Sequence, residues 1–446
     1  MSTRPIVREY VIDTPAAWEV FVREAWSKSP ARLTMPGIDV SEARLFRLLC
    51  AVAERDARGA RTTMRIYPES RARRVVSAER DALVDHERAA CMPRREDDGF
   101  LGYCARVRGR LGRGAALVTD NLERFDAELW LEVRRAFRGL FDRVPLFSRQ
   151  GMMTFAGDYA STPFGVHKDE EHVFHVAVCG KKRMRFWAKD FIAKHPEMDG
   201  LMDYTPFLDD SVAVEGRLGE ILYWPSRFYH IGECDGPAAH FSVGFQAPRS
   251  AATEVWTELA QLVWHDLIGE RDRTDDAQLS DPIAEPRMLL DARAEARRRF
   301  EAIMEDPRLD RTLKKTWLNR KTADGFENVP DPLPRAPLAM DDVLEGDPAF
   351  PLRTVDLDDD EMLCGAHGQS VSLPRHAAMY ALVARLASGA PISVRSAVDL
   401  VAAHRGDGDA DLDADADDVI AMLEALETMR AFSRVSPPPG ASRTRT

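Results

Sequence analysis

The chain has 446 residues and a formal net charge of -12, from 61 Lys and Arg against 73 Asp and Glu. That length is too great for one ordinary core, so more than one domain is expected, and the acidic balance argues against a general binder of phosphate backbones. No stretch has the apolar length of a signal-sequence core or a membrane span, and the six cysteines include no C-x-x-C pair, so a soluble cytoplasmic protein with reduced thiols is expected.

In chain order, residues 14–55 read as helical, with Trp18, Phe21, Val22 and Trp26, then Leu45, Leu48 and Leu49, at helical spacing. Between about 100 and 250 the pattern becomes short apolar runs, such as 115–118, 173–178, 184–187 and 241–245, broken by Gly, Pro and Asp. That is the signature of an all-β barrel or sandwich. After Pro248 helical spacing returns: Val255, Trp256, Leu259, Leu262 and Val263 form one stripe, and 288–304 is rich in Ala, Arg and Leu. The prolines and acidic residues of 329–351 read as a linker. Three amphipathic helices are expected at 376–386, 394–403 and 417–429, with a strand at 431–435, an order that points to a winged-helix-like domain. The loop 406–418, nearly all Asp, Gly and Ala, is expected to be solvated, since it lacks the glutamate and ligand order of an EF-hand.

The segment Thr162-Pro163-Phe164-Gly165-Val166-His167-Lys168-Asp169 carries the chemistry. If it enters a strand near Val166, alternation puts His167 and Asp169 on one face, where an imidazole and a carboxylate converge on one ion. A second histidine, His230, follows an apolar strand and a turn containing Pro225. Two histidines and one carboxylate occupy one face of an octahedral iron(II), leaving three positions for a bidentate oxoacid and dioxygen. Zinc accepts the same ligand types and hydrolysis stays chemically open. The apolar run 173–178 then turns at Cys179-Gly180 into Lys181-Lys182-Arg183-Met184-Arg185-Phe186-Trp187. By alternation Lys182 shares a face with Met184 and Phe186, so it is the cation expected to point inward and bind the far carboxylate of 2-oxoglutarate.

These residues, together with Val173-Phe174, 225–230 and 241–248, resemble the JmjC-type cupin oxygenases. The likeness is greatest to the bacterial ribosomal oxygenase group, whose members hydroxylate an arginine in a ribosomal protein. The resemblance implies an α+β fold: a double-stranded β-helix (cupin) barrel with N-terminal helices, a helical dimerisation segment and a C-terminal winged-helix-like domain. It implies domains at 1–99 (helical or mixed extension), 100–250 (barrel), 251–328 (dimerisation helices), 329–364 (linker) and 365–436 (winged helix), with 437–446 a disordered tail. It makes His167, Asp169 and His230 the iron(II) ligands and Lys182 the partner of 2-oxoglutarate, with dioxygen as the other cosubstrate, and it puts Thr154 and Ser242 near that pocket. Lys182 stands where the bacterial group commonly has arginine and other JmjC hydroxylases have lysine.

The implied activity is hydroxylation of a protein or peptide side chain, the substrate being a ribosomal protein or a biosynthetic precursor peptide. N-methyl demethylation, which would release formaldehyde, and a non-catalytic cupin scaffold are the competing readings. A homodimer is expected, without membrane contact, and the acidic excess between Asp356 and Asp418 argues against direct DNA binding. His172 and His175 read as structural. The arginine groups at 71–74 and 106–113 read as solvated surface.

Overall fold

A computed structural model describes residues 5–38, 40–59, 62–69, 82–144, 150–226, 228–246, 250–263, 293–294, 297–298, 300–404, 412 and 414–435. The chain divides into two compact units, Met1–Pro248 with Asp324–Asp331, and Arg249–Ala323 with Pro332–Thr446. Among the described residues no helix is long and apolar enough to cross a membrane.

The first unit contains β1 (Arg8–Val11), β2 (Ala31–Thr34), β3 (Arg65–Pro68), β4 (Ala115–Asp120), β5 (Gln150–Asp158), β6 (Glu171–Cys179), β7 (Lys182–Trp187), β8 (Ser211–Gly216), β9 (Glu220–Trp224), β10 (Tyr229–Cys234) and β11 (Pro237–Gln246). An eight-stranded sheet runs β1-β2-β9-β6-β11-β5-β4-β3, and a three-stranded sheet runs β10-β7-β8. β6 reads Glu-His-Val-Phe-His-Val-Ala-Val-Cys, and its seven inner residues are all buried. Such a continuous apolar run suits a strand covered on both faces. One face of β6 carries Val173 and His175 into a cavity. The other packs Phe174 against Phe137, ring centroids 4.8 Å apart, and against Tyr223, also 4.8 Å away. Trp18 and Phe21 of the helix Pro15–Glu24 join this aromatic cluster. Each fully buried ring contributes about 2 kcal/mol. That helix starts where Thr14 accepts a hydrogen bond from the Ala17 amide and Pro15 occupies the first turn.

The helical reading of 14–55 needs correction at its centre. After Ser29-Pro30 the chain extends, and Ala31 and Leu33 are buried while Arg32 and Thr34 are not. This period of two sets β2 between β1 and β9. In the sequence the short strand is masked by the strong helical spacing on either side.

In the second unit the helix Pro307–Thr322 packs on a sheet of β13 (Arg353–Asp356), β14 (Glu361–Ala366) and β15 (Gln369–Pro374). A second small sheet pairs β12 (Val343–Gly346) with β16 (Ile392–Ser393) and β17 (Phe432–Val435). The helices Ala377–Ala387, Val394–Ala403 and Ala416–Thr428 close over a core that includes Leu344, Met362, Leu382, Val401 and Leu423. The linker expected at 329–364 is therefore folded. Leu338, Leu344 and Leu352, interspersed among its prolines and acids, are all buried in this core, and isolated anchors at such spacing form no periodic pattern in the sequence. The segment 324–331, of which 324–328 were expected with the dimerisation helices and 329–331 with the linker, belongs to the first unit. The tail after 435, most of the 406–418 loop, and residues 264–292 of the helical segment lie outside the described residues.

The turn from β6 to β7 depends on Gly180, whose φ is +71°. A Cβ there would strike the Pro237 carbonyl and lie 2.7 Å from Ala238 Cα. Gly180→Ala is expected to destabilise the protein by about 2 kcal/mol or more, read as a lower urea midpoint at unchanged slope. An unchanged midpoint would show that the turn relaxes freely.

Candidate metal centre

His167 sits in no strand. It forms an isolated antiparallel bridge with His230 at the start of β10: the His167 amide donates to the His230 carbonyl at 3.0 Å, and the His230 amide returns to the His167 carbonyl at 2.8 Å. Asp169 follows in the irregular segment just before β6. The strand expected near Val166 is thus a single bridged residue. Gly165, at φ +66°, bends the chain there, and the convergence comes from that turn rather than from strand alternation.

The side chains are aligned by the backbone beside them. His167 Nδ1 lies 2.8 Å from the Gly165 carbonyl and His230 Nδ1 lies 2.9 Å from the Phe228 carbonyl. A carbonyl only accepts, so each Nδ1 carries a proton and each Nε2 is the nitrogen turned toward the cluster. Asp169 Oδ2 is 3.3 Å from His230 Nε2, and Oδ1 is 3.7 Å from His167 Nε2. The three donor atoms lie within 4.8 Å of one another, the one such cluster among the described residues. Trp224 Nε1 donates to Asp169 Oδ2 at 3.2 Å and orients the carboxylate, a contact that sequence spacing does not reveal. Burial pushes the His230 pKa down to about 4, against the opposing pull of Asp169. The imidazole therefore stays neutral and available as a ligand near pH 7. Two imidazoles with Nδ1 bonded to main-chain carbonyls, and a carboxylate, fit a divalent first-row metal.

The triad opens into a cavity of about 350 Å³ whose walls include Lys182, His175, Ser242, Phe155 and Met184. Lys182, Met184 and Phe186 are buried while Arg183 and Arg185 turn outward to Glu233. The Lys182 ammonium stands 4.7 Å from the Phe155 ring centroid and has no hydrogen-bond partner among the described residues. Burial brings its pKa down to about 8. Ser242 lines the same cavity and its hydroxyl lies 2.7 Å from His175 Nδ1. Thr154 does not reach it. On β5 the residues Met153 and Phe155 face the cavity, and alternation sends the buried Thr154 to the other side of the strand.

His175, expected as structural, proves to be part of the cavity wall, with Nε2 unpaired. It stacks on the fully buried His240 at 4.9 Å. His172 is structural: it stacks on Trp26 at 4.2 Å and bonds the Tyr223 hydroxyl at 3.1 Å. Arg106 and Arg108 pair with Asp97 and Asp158, while 71–74 lie outside the described residues. Sequence reasoning missed Arg65 and Asp120, which also line the cavity and bond each other at 2.6 Å. They come from different strands and share no motif.

Residues 135–253 match the sequence profile of the JmjC domain. Over 86 residues the chain is 34% identical to ribosomal protein uL16 3-hydroxylase of Escherichia coli strain K12, a match spanning 19% of this chain and 23% of that relative's length. A structure of YcfD, a ribosomal oxygenase from Escherichia coli, in complex with cobalt and 2-oxoglutarate, superposes with a TM-score of 0.50 at 18% identity, covering 94% of this chain and 98% of that one. Another YcfD structure, with cobalt and succinic acid, gives 0.48 at 19% identity over the same coverage. The match to the JmjC domain is thus confined to residues 135–253, within a fold of mixed helices and sheets like that of YcfD.

Replacing either His167 or Asp169 by Ala is expected to abolish cobalt(II) binding in a calorimetric titration, because the site has three protein ligands. Trp224→Phe is expected to weaken binding by about 10- to 100-fold, the usual effect of losing a ligand's supporting hydrogen bond. Wild-type affinity in the His167 or Asp169 variant would remove those residues from the site.

Proposed function

We propose that the chain is an iron(II)- and 2-oxoglutarate-dependent oxygenase that hydroxylates a side chain of a protein or peptide. The observation that carries this reading is the union, in one cavity, of three convergent metal donors and an unpartnered buried lysine. A zinc hydrolase has no use for the lysine, whereas a dicarboxylate cosubstrate requires a cation at the far end of its site. His167, Asp169 and His230 would hold the iron. When bound, the iron supplies oxygen activation: one atom of dioxygen enters a C–H bond of the substrate and the other enters succinate as 2-oxoglutarate loses carbon dioxide.

The protein's own contribution is binding, orientation and exclusion of water. Lys182 holds the distal carboxylate of 2-oxoglutarate, and Ser242, linked to His175, lies beside it. The apolar walls given by Val173, Met184, Phe155 and Trp224 keep bulk water from the reacting carbon. The known relatives direct attention to a ribosomal protein as substrate, with a biosynthetic precursor peptide as the alternative, and either would be met in the cytoplasm. Thr154 is left out of the proposed pocket.

The test is succinate production that requires iron(II), 2-oxoglutarate and a peptide substrate, with the product gaining one oxygen. Formaldehyde release would instead indicate demethylation, and absence of both iron binding and succinate would indicate a scaffold. Lys182→Ala is expected to raise the 2-oxoglutarate requirement by about 100-fold, since a buried carboxylate without its charged partner costs roughly 3 kcal/mol. An unchanged requirement would assign the role to another cation.

Two further parts of the reading concern assembly. The helices and strand of 365–436 are proposed to form a winged-helix-like domain without direct DNA binding, and residues 251–328 to contribute the interface of a homodimer. In the helix Ala251–Val263, Leu259 is buried but Trp256 is 59% exposed, stacked only 5.7 Å from Phe300. An exposed tryptophan of this kind is a natural anchor for a symmetric contact. Light scattering is expected to give twice the chain mass at micromolar concentration and a fall to the chain mass on Trp256→Glu. A single chain mass for the wild type at all concentrations would refute the dimer.

A further inference from the structure

His175 brings a buried, unmatched polar atom to the wall of the cavity. The residue is 2% exposed and lines the cavity; its Nδ1 lies 2.7 Å from the Ser242 hydroxyl, while its Nε2 has no partner. Ser242 is buried in the same wall. Burial, and after it the charge of Lys182, holds His175 and His240 well below the usual histidine range, so both rings are neutral near pH 7. A serine hydroxyl and a neutral imidazole carry two hydrogens between them and use one in their mutual bond. Whichever way that bond runs, one hydrogen is left over: on Nε2 if the serine donates, on the serine oxygen if Nδ1 donates. Buried donors are normally paired, so a spare hydrogen in a cavity wall marks a place where a ligand completes the set.

The register places this pair beside Lys182. On the cavity face of the large sheet His175 stands opposite Ser242 and Ser242 opposite Met153; two residues earlier on β11, His240 stands opposite Phe155. The Lys182 ammonium is 4.7 Å from that Phe155 ring, and its stem runs past Gly232, where an added Cβ would come 2.6 Å from Lys182 Cε. His240, wholly buried, stacks 4.9 Å from His175 with the ring planes 23° apart, which fixes the plane of the His175 ring. The other charged groups of the wall stand away from this end. Glu171 lines the cavity on the same face of β6, but four residues before His175, about 13 Å along the strand. Glu327 lies beside Gln150, whose carbonyl accepts from its amide, and Gln150 opposes Phe245 at the Glu171 end of β11. Asp120 bonds Arg65, and Asp169 stands against His167 and His230. Among the described lining residues, Lys182 is therefore the one ion at the His175 end.

The chemistry of this end selects its ligand. A lysine ammonium is a point charge rather than a fork, so it holds one oxygen of a carboxylate well and leaves the other for a separate donor. The spare hydrogen of the His175–Ser242 pair is such a donor. A cationic ligand would meet Lys182 as a like charge, and an apolar one would leave the hydrogen unpaired. We propose that His175 and Ser242 act as one coupled donor that, together with Lys182, binds the distal carboxylate of the acid cosubstrate and selects a dicarboxylate over a monocarboxylate. This rests on the reading of the chain as a 2-oxoglutarate-dependent oxygenase.

The test is calorimetric titration of the cobalt(II)-loaded, full-length protein with 2-oxoglutarate and with 2-oxovalerate, which has a methyl group in place of the distal carboxylate. In the His175→Phe, Ser242→Ala double variant 2-oxoglutarate is expected to bind about tenfold or more weaker, the usual effect of losing a hydrogen bond to a charged group, while 2-oxovalerate stays within about twofold of wild type. A merely structural role would weaken both acids alike. The single variants show which atom delivers the hydrogen: His175→Phe reproduces the whole loss if it is Nε2, and Ser242→Ala if it is the hydroxyl. His175→Gln with Ser242 intact keeps an N–H in the wall and is expected to hold 2-oxoglutarate within about threefold of wild type. An unchanged 2-oxoglutarate affinity in the double variant, an equal loss for both acids, or a full loss in His175→Gln overturns the proposal and leaves the oxygenase reading standing. Failure of the wild type to bind 2-oxoglutarate at millimolar concentration overturns both.

Discussion

The site depends on one reciprocal backbone contact, the two hydrogen bonds exchanged by His167 and His230. Around it the irregular segment 161–167 is joined to β10 by a bridge from Ser161 to Glu233 and by the Thr162 amide bonding the Gly232 carbonyl at 2.8 Å. These contacts bring together two stretches far apart in the chain, and the carbonyls of Gly165 and Phe228 then fix both imidazoles. The two candidate imidazole donors are positioned by main chain, and the Asp169 carboxylate by the Trp224 indole. Such a site keeps its geometry without a metal, because orienting the ligands has already been achieved in folding.

Everything else in the first unit supports that contact. The aromatic cluster of Trp18, Phe21, Phe137, Phe174 and Tyr223 anchors one face of the large sheet. The opposite face is thereby free to carry polar groups into the cavity. Burial of such groups is costly: His175 and His240 of this sheet and Lys182 of β7 would each be more stable in water. The apolar packing behind β5, β6 and β11 offsets this cost, and the polar groups persist where a ligand is to be met. Burial also sets the charge states, keeping His230 neutral and weakening the hold of Lys182 on its proton.

Much of the barrel and the metal triad was legible because their signals are local. Alternation in β7 identifies Lys182 as the inward cation, and the H-x-D pair with a later histidine points to the cluster that converges, although it does so through a bend at Gly165 and not through a strand. Thr154 was misplaced because the start of β5 has apolar residues on both faces, so its sequence does not say which face meets the cavity. The folded stretch within 329–364 was hidden for a related reason: single buried leucines among prolines have no period.

By itself the sequence pointed to the class of fold, the candidate donor set that the fold brings together and the inward lysine, since each follows from residue type and spacing along the chain. Only the tertiary structure decided that Trp224 steadies Asp169, that His175 belongs to the cavity wall, and that Arg65 and Asp120 pair in that wall. Those relations arise from the register between strands distant in sequence, and register is set by the packing of whole sheets, which no local pattern encodes.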